Sequence, residues 1–497
     1  MTAGQQWLPP ALVLVSTLAA VIIFVAGEAR QRLRIAVNLA AALAKLGLVT
    51  WIGLEVLGGR EFRFSFELVP GLELILHADA LSILFAGLSA LLWLVTTIYA
   101  IAYLEQSQNR ARFFGFFSLC VSATMGIAMA GNLLTLFIFY ELLTLTTWPL
   151  VVHNGSRAAL EAGRSYLRYT LSAGVMLLLA MVWLYGLAGN AVFRSGGFLE
   201  PLAATHGPAL TMIFVMLVTG FGVKAALVPL HGWLPKAMVA PAPVSALLHA
   251  VAVVKAGAFG IIRVVEDVYG PELVAQLGVQ TPLVVVACWT IVIGSLFALR
   301  ETGLKRRLAY STVSQVSYIV LGVAMGGLLA TTGGMVHLVH QGMMKVTLFF
   351  CAGIWGLLLG VERIDQLDGL GRRMPWVGVA FSVAALGMMG LPPLAGFVSK
   401  WYLGSGALAA GYPWVLLVLI SSALLNAAYF LPLVRRLWLA EHAPLEDAPV
   451  MIGRLPRLAL ASAAVVTAAL TLLLGLLATH PLSPLNWVLQ IVRGTVA

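Results

Sequence analysis

Residues 133–148 read LLTLFIFYELLTLTTW, an apolar run interrupted by a single carboxylate, Glu141. A segment of this composition belongs in hydrocarbon, where backbone N–H and C=O groups find partners only in a helix or a closed barrel. A carboxylate at membrane depth is costly against lipid, so the helix needs a protein-facing polar side. Working outward, apolar runs of about 20 residues recur from end to end, each long enough to cross a hydrocarbon layer roughly 30 Å thick. The 497-residue chain is 61% hydrophobic and only 10% charged, whereas a soluble domain carries about a quarter charged residues. The pattern predicts an all-α integral membrane protein of about 14 transmembrane helices, centred near residues 18, 45, 91, 121, 141, 174, 221, 255, 290, 316, 347, 390, 425 and 466. No soluble domain is expected between the spans.

The formal net charge of +10 is sorted by loop. Loops after odd-numbered spans hold Arg30, Arg32, Arg34, Arg110, Arg112, Arg157, Arg164, Lys236, Arg300, Lys305, Arg306, Arg307, Arg363, Arg372, Arg373, Arg435, Arg436, Arg454 and Arg457. The opposite loops hold Arg60, Arg63, Arg194 and Arg263, with Arg493 in the tail. Positive residues collect on the cytoplasmic side. Both termini are therefore expected on the extracytoplasmic side of a bacterial inner membrane, with the lipid bilayer as partner and no nucleic acid. The first span, Leu8 to Gly27, lacks a preceding basic segment and a following cleavage site, and is expected to be a retained helix. Cys120, Cys288 and Cys351 lie in apolar stretches without motif spacing, which predicts packing residues rather than a disulfide framework or metal site.

Ionisable residues inside spans are functional candidates by default, and this chain has many. Lys224 lies in VTGFGVKAALVPL (218–230), His249 and Lys255 in SALLHAVAVVKAGAFG (245–260), and His337, His340 and Lys345 in VHLVHQGMMKVTLFF (336–350). Lys400 ends GLPPLAGFVSK (390–400). Against these lysines Glu141 is the only carboxylate clearly at mid-depth. Unpaired ammonium groups cannot all stay charged there, so the lysines are candidates to take up and release protons. Histidine adds groups that titrate near neutrality. His337, Gln341 and Lys345 follow i, i+4, i+8 spacing with His340 at i+3, which places a polar stripe on one helix face. Lys45 stands apart from this set and is expected to be structural.

Prolines in VPLHGWLP and GLPPLAGF fall within about two turns of Lys224 and Lys400 and predict broken helices, which are tolerated where protein or a water-filled cavity satisfies the freed backbone. The two breaks occupy corresponding places. From the span near residue 121, the fourth of five spans carries Lys224 and the fourth of the next five carries Lys400. Five is odd, so two such units insert with opposite orientation, the pattern of an inverted repeat. The expected division is 1–110 (helices 1–3), 111–268 (first repeat), 279–438 (second repeat) and 439–497 (helix 14 and tail). GFGVKA lacks the strand context of a dinucleotide fingerprint, and HEXXH, P-loop and paired CxxC patterns do not occur. No cofactor, metal or catalytic residue is expected.

The segments VPLHGWLPKAMVAPAPVSALLHAVAVVKAGAFGIIR (228–263), LKRRLAYSTVSQVSYIVLG (304–322), HQGMMKVTLFF (340–350) and GLPPLAGFVSKWYL (390–403) resemble the antiporter-like membrane subunits shared by Mrp-type cation/proton antiporters and respiratory complex I. The resemblance runs over roughly residues 70 to 440. It implies an ion pair between Glu141 and Lys224 in a first half-channel, Lys255 as the link with His249 on the same helix, and a histidine, here His340, leading to a terminal Lys400. The register of His340 and Lys345 resembles the Mrp D subunit, and Gln341 stands where a paired-histidine complex I subunit has its second histidine. Gly303 and Lys236 replace acidic residues common in the family. The implied proton path is Glu141, Lys224, His249, Lys255, His337, His340, Lys345 and Lys400.

The function so implied is that of a proton-translocating subunit of a multisubunit Mrp-type Na+/H+ antiporter, working with other membrane subunits on protons and Na+ and without catalytic chemistry of its own. Two alternatives stay open: a pumping subunit of a complex I-like or hydrogenase-like redox complex, and a proton-conducting partner in inorganic-carbon uptake.

Overall fold

The computed structural model describes residues 5–190, 192–441 and 453–494. Seven helices make the first seven crossings: α1 (Leu8–Ala26), α2 (Gln31–Leu57), α3 (Ala80–Tyr103), α4 (Arg110–Ala128), α5 (Leu133–Val151), α6 (Arg157–Ala188) and α7 (Ala203–Lys224). Then come α8 (Ala242–Tyr269), α9 (Gln280–Arg300), α10 (Leu304–Met325) and α11 (Gly327–Leu359). The twelfth crossing is split into α12 (Pro375–Met389) and α13 (Ala395–Ala409), followed by α14 (Val415–Leu439) and α15 (Arg454–Leu476). Among the described residues, thirteen helices are individually long and apolar enough to span a membrane. With the split crossing, the expected fourteen are accounted for.

Local chemistry sets the boundaries. Asp79 caps α3 by accepting from the Ser82 N–H at 2.6 Å, and Asn132 caps α5 by accepting from the Thr135 N–H at 2.8 Å, each satisfying an orphan donor of the first turn. Gly27, at φ +62°, ends α1 in a backbone conformation that favours glycine. Along α6, Val175, Leu179 and Val182 are each 57–60% exposed. An exposed apolar stripe at that spacing is what a lipid-facing helix presents.

Three features were not read from the sequence. A β-hairpin, β1 (Phe62–Val69) and β2 (Leu72–Ala78), joins α2 to α3 around Pro70–Gly71. It docks on the α4–α5 turn through His77 N–H to Met129 O at 2.6 Å and Gly131 N–H to Ile75 O at 2.9 Å. A short final helix, α16 (Pro484–Val492), packs beside α3, with Trp487 Nε1 donating to Ala80 O at 2.8 Å. Finally, Arg263 is not a loop residue: it lies within α8 and is 2% exposed. Burial is tolerated because Asp267, four residues on in the same helix, and Asp79, a tertiary partner, neutralise it.

Candidate functional site

The helix α7 stops at Lys224, where Ala226 adopts a positive φ and the Val228–Pro229 peptide is cis. The carbonyls and amides freed by the break are recovered locally: Trp233 Nε1 donates to Val223 O at 2.7 Å, and the Val228 N–H donates to Thr290 Oγ1 on α9 at 3.0 Å. The break also depends on α8 coming close, because a Cβ on Gly257 would collide with the Lys224–Ala225 backbone. The fully buried Lys224 ammonium donates to the Tyr140 carbonyl and sits 3.3 Å from the centroid of the Tyr140 ring.

Glu141, the residue after that carbonyl, is only part-buried. Its Oε1 has no hydrogen-bond partner. The expected direct ion pair is replaced by a looser arrangement, in which Lys224 is held by Tyr140 while the two charges interact through space. The carboxylate packs onto Gly174 of α6, where a Cβ would lie 2.8 Å from both Cδ and Oε1. Gly174→Ala should therefore push a flexible carboxylate aside with little cost to stability. Misplacement of a reacting group by about 1 Å costs on the order of tenfold to a hundredfold. Proton translocation by the assembled complex is expected to fall by roughly a factor in that range, with no further loss when Gly174→Ala is added to Glu141→Gln.

The helices α8, α10 and α11 form the buried spine, and every residue in the apolar window of α8 is buried. Two stretches of α8, Leu247–Val251 and Val264–Tyr269, widen into π-helix, a form concentrated at functional positions. His249 lies in the first stretch, its ring stacked on Phe349 at 4.5 Å and both nitrogens without partners. Lys255, one turn past the distorted Ala252, also has a partnerless Nζ. His337, His340, Gln341 and Lys345 are all fully buried on α11.

His337 Nδ1 and Ser399 Oγ of α13 share a hydrogen bond at 2.7 Å, one residue before Lys400. The hydrogen-bonded side-chain link from α11 to α13 is thus made by His337, while neither His340 nitrogen has a partner. The Lys400 ammonium caps the broken end of α12, donating to Met388 O at 2.7 Å and Met389 O at 3.0 Å. Electrostatic neighbours connect the rest: Lys255 with Lys345 and His337, Lys345 with His249, and His337 with Lys400 and His340. Lys45 lies outside this line, bonded to Ser16 and 4.8 Å from the Trp93 ring centroid.

Sequence reasoning missed a polar branch. Lys345 Nζ donates to Ser311 Oγ at 2.8 Å, Tyr429 OH donates to the same oxygen at 3.0 Å, and Tyr429 also bonds Asn426. Asn426 Nδ2 reaches Ser422 Oγ at 3.4 Å, to which Tyr318 OH donates at 2.7 Å. The Tyr318 ring lies 5.4 Å from Lys400 Nζ and 5.3 Å from the His337 ring. The branch was hidden because serines, tyrosines and asparagines are ordinary in membrane helices until their partners are known.

Known proteins place this architecture. The sequence profile described as NADH:quinone oxidoreductase/Mrp antiporter, TM matches residues 130–425. NADH-quinone oxidoreductase subunit N of Desulforudis audaxviator is 36% identical over 440 residues, covering 84% of this chain and 85% of its own length. Hydrogenase-4 component B of Escherichia coli is 32% identical over 348 residues, 66% of this chain and 50% of its own length. The chain spans half or less of the length of this and further curated relatives. A chain in the structure of the Mrp complex from Dietzia sp. DQ12-45-1b superposes with a TM-score of 0.86 at 26% identity, covering 100% of this chain and 98% of that one. The chain belongs to the NADH:quinone oxidoreductase/Mrp antiporter membrane-subunit family. It is a multi-pass, antiporter-like membrane protein.

Proposed function

We propose that this chain is the proton-translocating subunit of a multisubunit Mrp-type Na+/H+ antiporter. The observation that carries the reading is the line of buried ionisable groups from Glu141 and Lys224, through Lys255, His249, Lys345, His340 and His337, to Lys400. Polar side chains without partners are rare in folded proteins. Here Lys255 Nζ, both nitrogens of His249 and His340, and Glu141 Oε1 are all without them, along one route. Charges at membrane depth of this kind mark ion and proton pathways. The units 111–268 and 279–438 each contribute one broken helix and one terminal lysine, Lys224 and Lys400. The sorting of arginines supports a topology with both termini outside a bacterial inner membrane.

Whole-chain similarity to the Mrp complex and the spacing of His340 and Lys345 support the antiporter branch. The 36% identity to subunit N of NADH-quinone oxidoreductase supports a second reading, in which electron transfer elsewhere in a complex drives the same path. Inverted vesicles holding the whole native complex separate the two. Under the first reading, Na+ dissipates an imposed pH gradient with no electron donor present. If Na+ and K+ leave the gradient unchanged while a redox donor drives proton movement, the antiporter reading is wrong and the second holds.

A further inference from the structure

A cavity of about 550 Å3 lies on the hairpin face of the bundle, between β2, the start of α3, the 192–195 loop and the end of α8. One buried cation organises its wall. Arg263 donates from Nη1 to Asp79 Oδ2 and Asp267 Oδ2, both at 2.8 Å, and from Nη2 to Asp79 Oδ1 and Ser82 Oγ, both at 2.9 Å. Glu266 brings a third carboxylate to the same wall. Its Oε1 is buried without a partner, as is Arg263 Nε, and the Thr331 hydroxyl of α11 is within hydrogen-bonding reach of the carboxylate. Glu61, Arg63, His77 and Arg194 also line the cavity, but the carboxylates that Arg263 contacts are Asp79 and Asp267, so Glu266 is the buried acid at this wall left to exchange a proton.

The cavity reaches Met335, which follows Thr331 by one helical turn and precedes His337 by two residues. On the α8 side, Arg263 stands 5.1 Å from the Phe259 ring, which stacks on Phe85 of α3 at 4.8 Å. Lys255 is one turn beyond Phe259. A thin apolar layer therefore separates the polar cavity from the buried line of lysines and histidines.

We propose that this cavity is a proton port, with Glu266 as the exchanging acid and Met335 and the Phe85–Phe259 pair as the barrier between it and His337 and Lys255. The proposal rests on the proton-path reading above, in whose topology the hairpin face is extracytoplasmic. In uptake, a proton from the aqueous phase adds to the Glu266 carboxylate. When the apolar layer parts, it passes to the neutral His337 imidazole or Lys255 amine, restoring the carboxylate. Release is the reverse.

The test uses the whole native complex in vesicles of both orientations, with Lys224→Ala as the control for the path itself. Glu266→Gln should assemble normally and lower proton translocation about a hundredfold or more, the range for loss of a positioned proton-transfer group, and Glu266→Asp should recover most of the rate. Ser195→Cys at the cavity wall should react with a membrane-impermeant maleimide from the hairpin face alone, and translocation should fall on labelling; the native cysteines are buried. Wild-type rates in Glu266→Gln and in labelled Ser195→Cys, with Lys224→Ala inactive, would leave the path standing and overturn the port. An active Lys224→Ala complex would overturn both.

Discussion

Proton translocation by the native complex is expected to fall by on the order of a hundredfold or more when Lys224 is replaced by alanine, the range for loss of a positioned proton-transfer group. Lys224 is fully buried at the end of a broken helix, and its ammonium meets a carbonyl and an aromatic face rather than a carboxylate. Removing it leaves no orphaned opposite charge in direct contact, so the complex should still assemble, at the cost of the lost hydrogen bond from the ammonium to Tyr140, about 2 kcal/mol. Lys224→Arg is the decisive companion. It keeps the positive charge but cannot release a proton, so it should be as inactive as the alanine variant. Full activity in Lys224→Arg, measured as decay of a pH gradient in vesicles, would mean that a fixed charge suffices and that no proton passes through this position.

The largest effect on stability should come from Arg263→Leu. It strips two carboxylates, Asp79 and Asp267, of the guanidinium that both contact at 2.8 Å. Breaking a buried pair by removing one partner costs about 3–5 kcal/mol because the other charge stays buried. Burial alone would raise the Asp79 carboxyl, but the Arg263 guanidinium outweighs it and holds that carboxyl below the usual carboxylate range. Arg263→Lys should recover only part of the loss, since a single ammonium cannot reproduce the fork that reaches Asp79, Asp267 and Ser82 together. Adding Asp79→Asn and Asp267→Asn to Arg263→Leu should restore most of it. Yield of assembled complex and its thermal aggregation temperature would show this order. A fully stable Arg263→Leu single variant would mean the two carboxylates are already neutralised another way.

The same cluster explains why part of the site escaped sequence reading. Arg263 reads as a loop arginine because an i,i+4 pair with Asp267 is equally at home on a solvated helix end, and Asp79, the partner that closes the cluster, is 184 positions away. Gly174 was likewise invisible, as an ordinary helix glycine whose missing side chain makes room for Glu141. The hairpin was overlooked because short alternating stretches such as FRFSFELV give a weak signal beside long membrane runs. By contrast, the breaks at Lys224 and Lys400 were announced by their own prolines, and the α11 stripe by its helical spacing.

Sequence by itself determined the class of structure, the number of crossings, the places where two of them break, and most of the ionisable residues that the bundle buries. Those are consequences of local composition, because hydrocarbon leaves a backbone few ways to satisfy its hydrogen bonds and makes every buried charge conspicuous. Only the tertiary structure decided which charges meet. It set Lys224 on Tyr140 instead of directly on Glu141, tied His337 to Ser399 beside Lys400, and gathered Arg263, Asp79 and Asp267 at one cavity. Pairings of that kind depend on distances between helices far apart in the chain, and the composition of no single helix contains them.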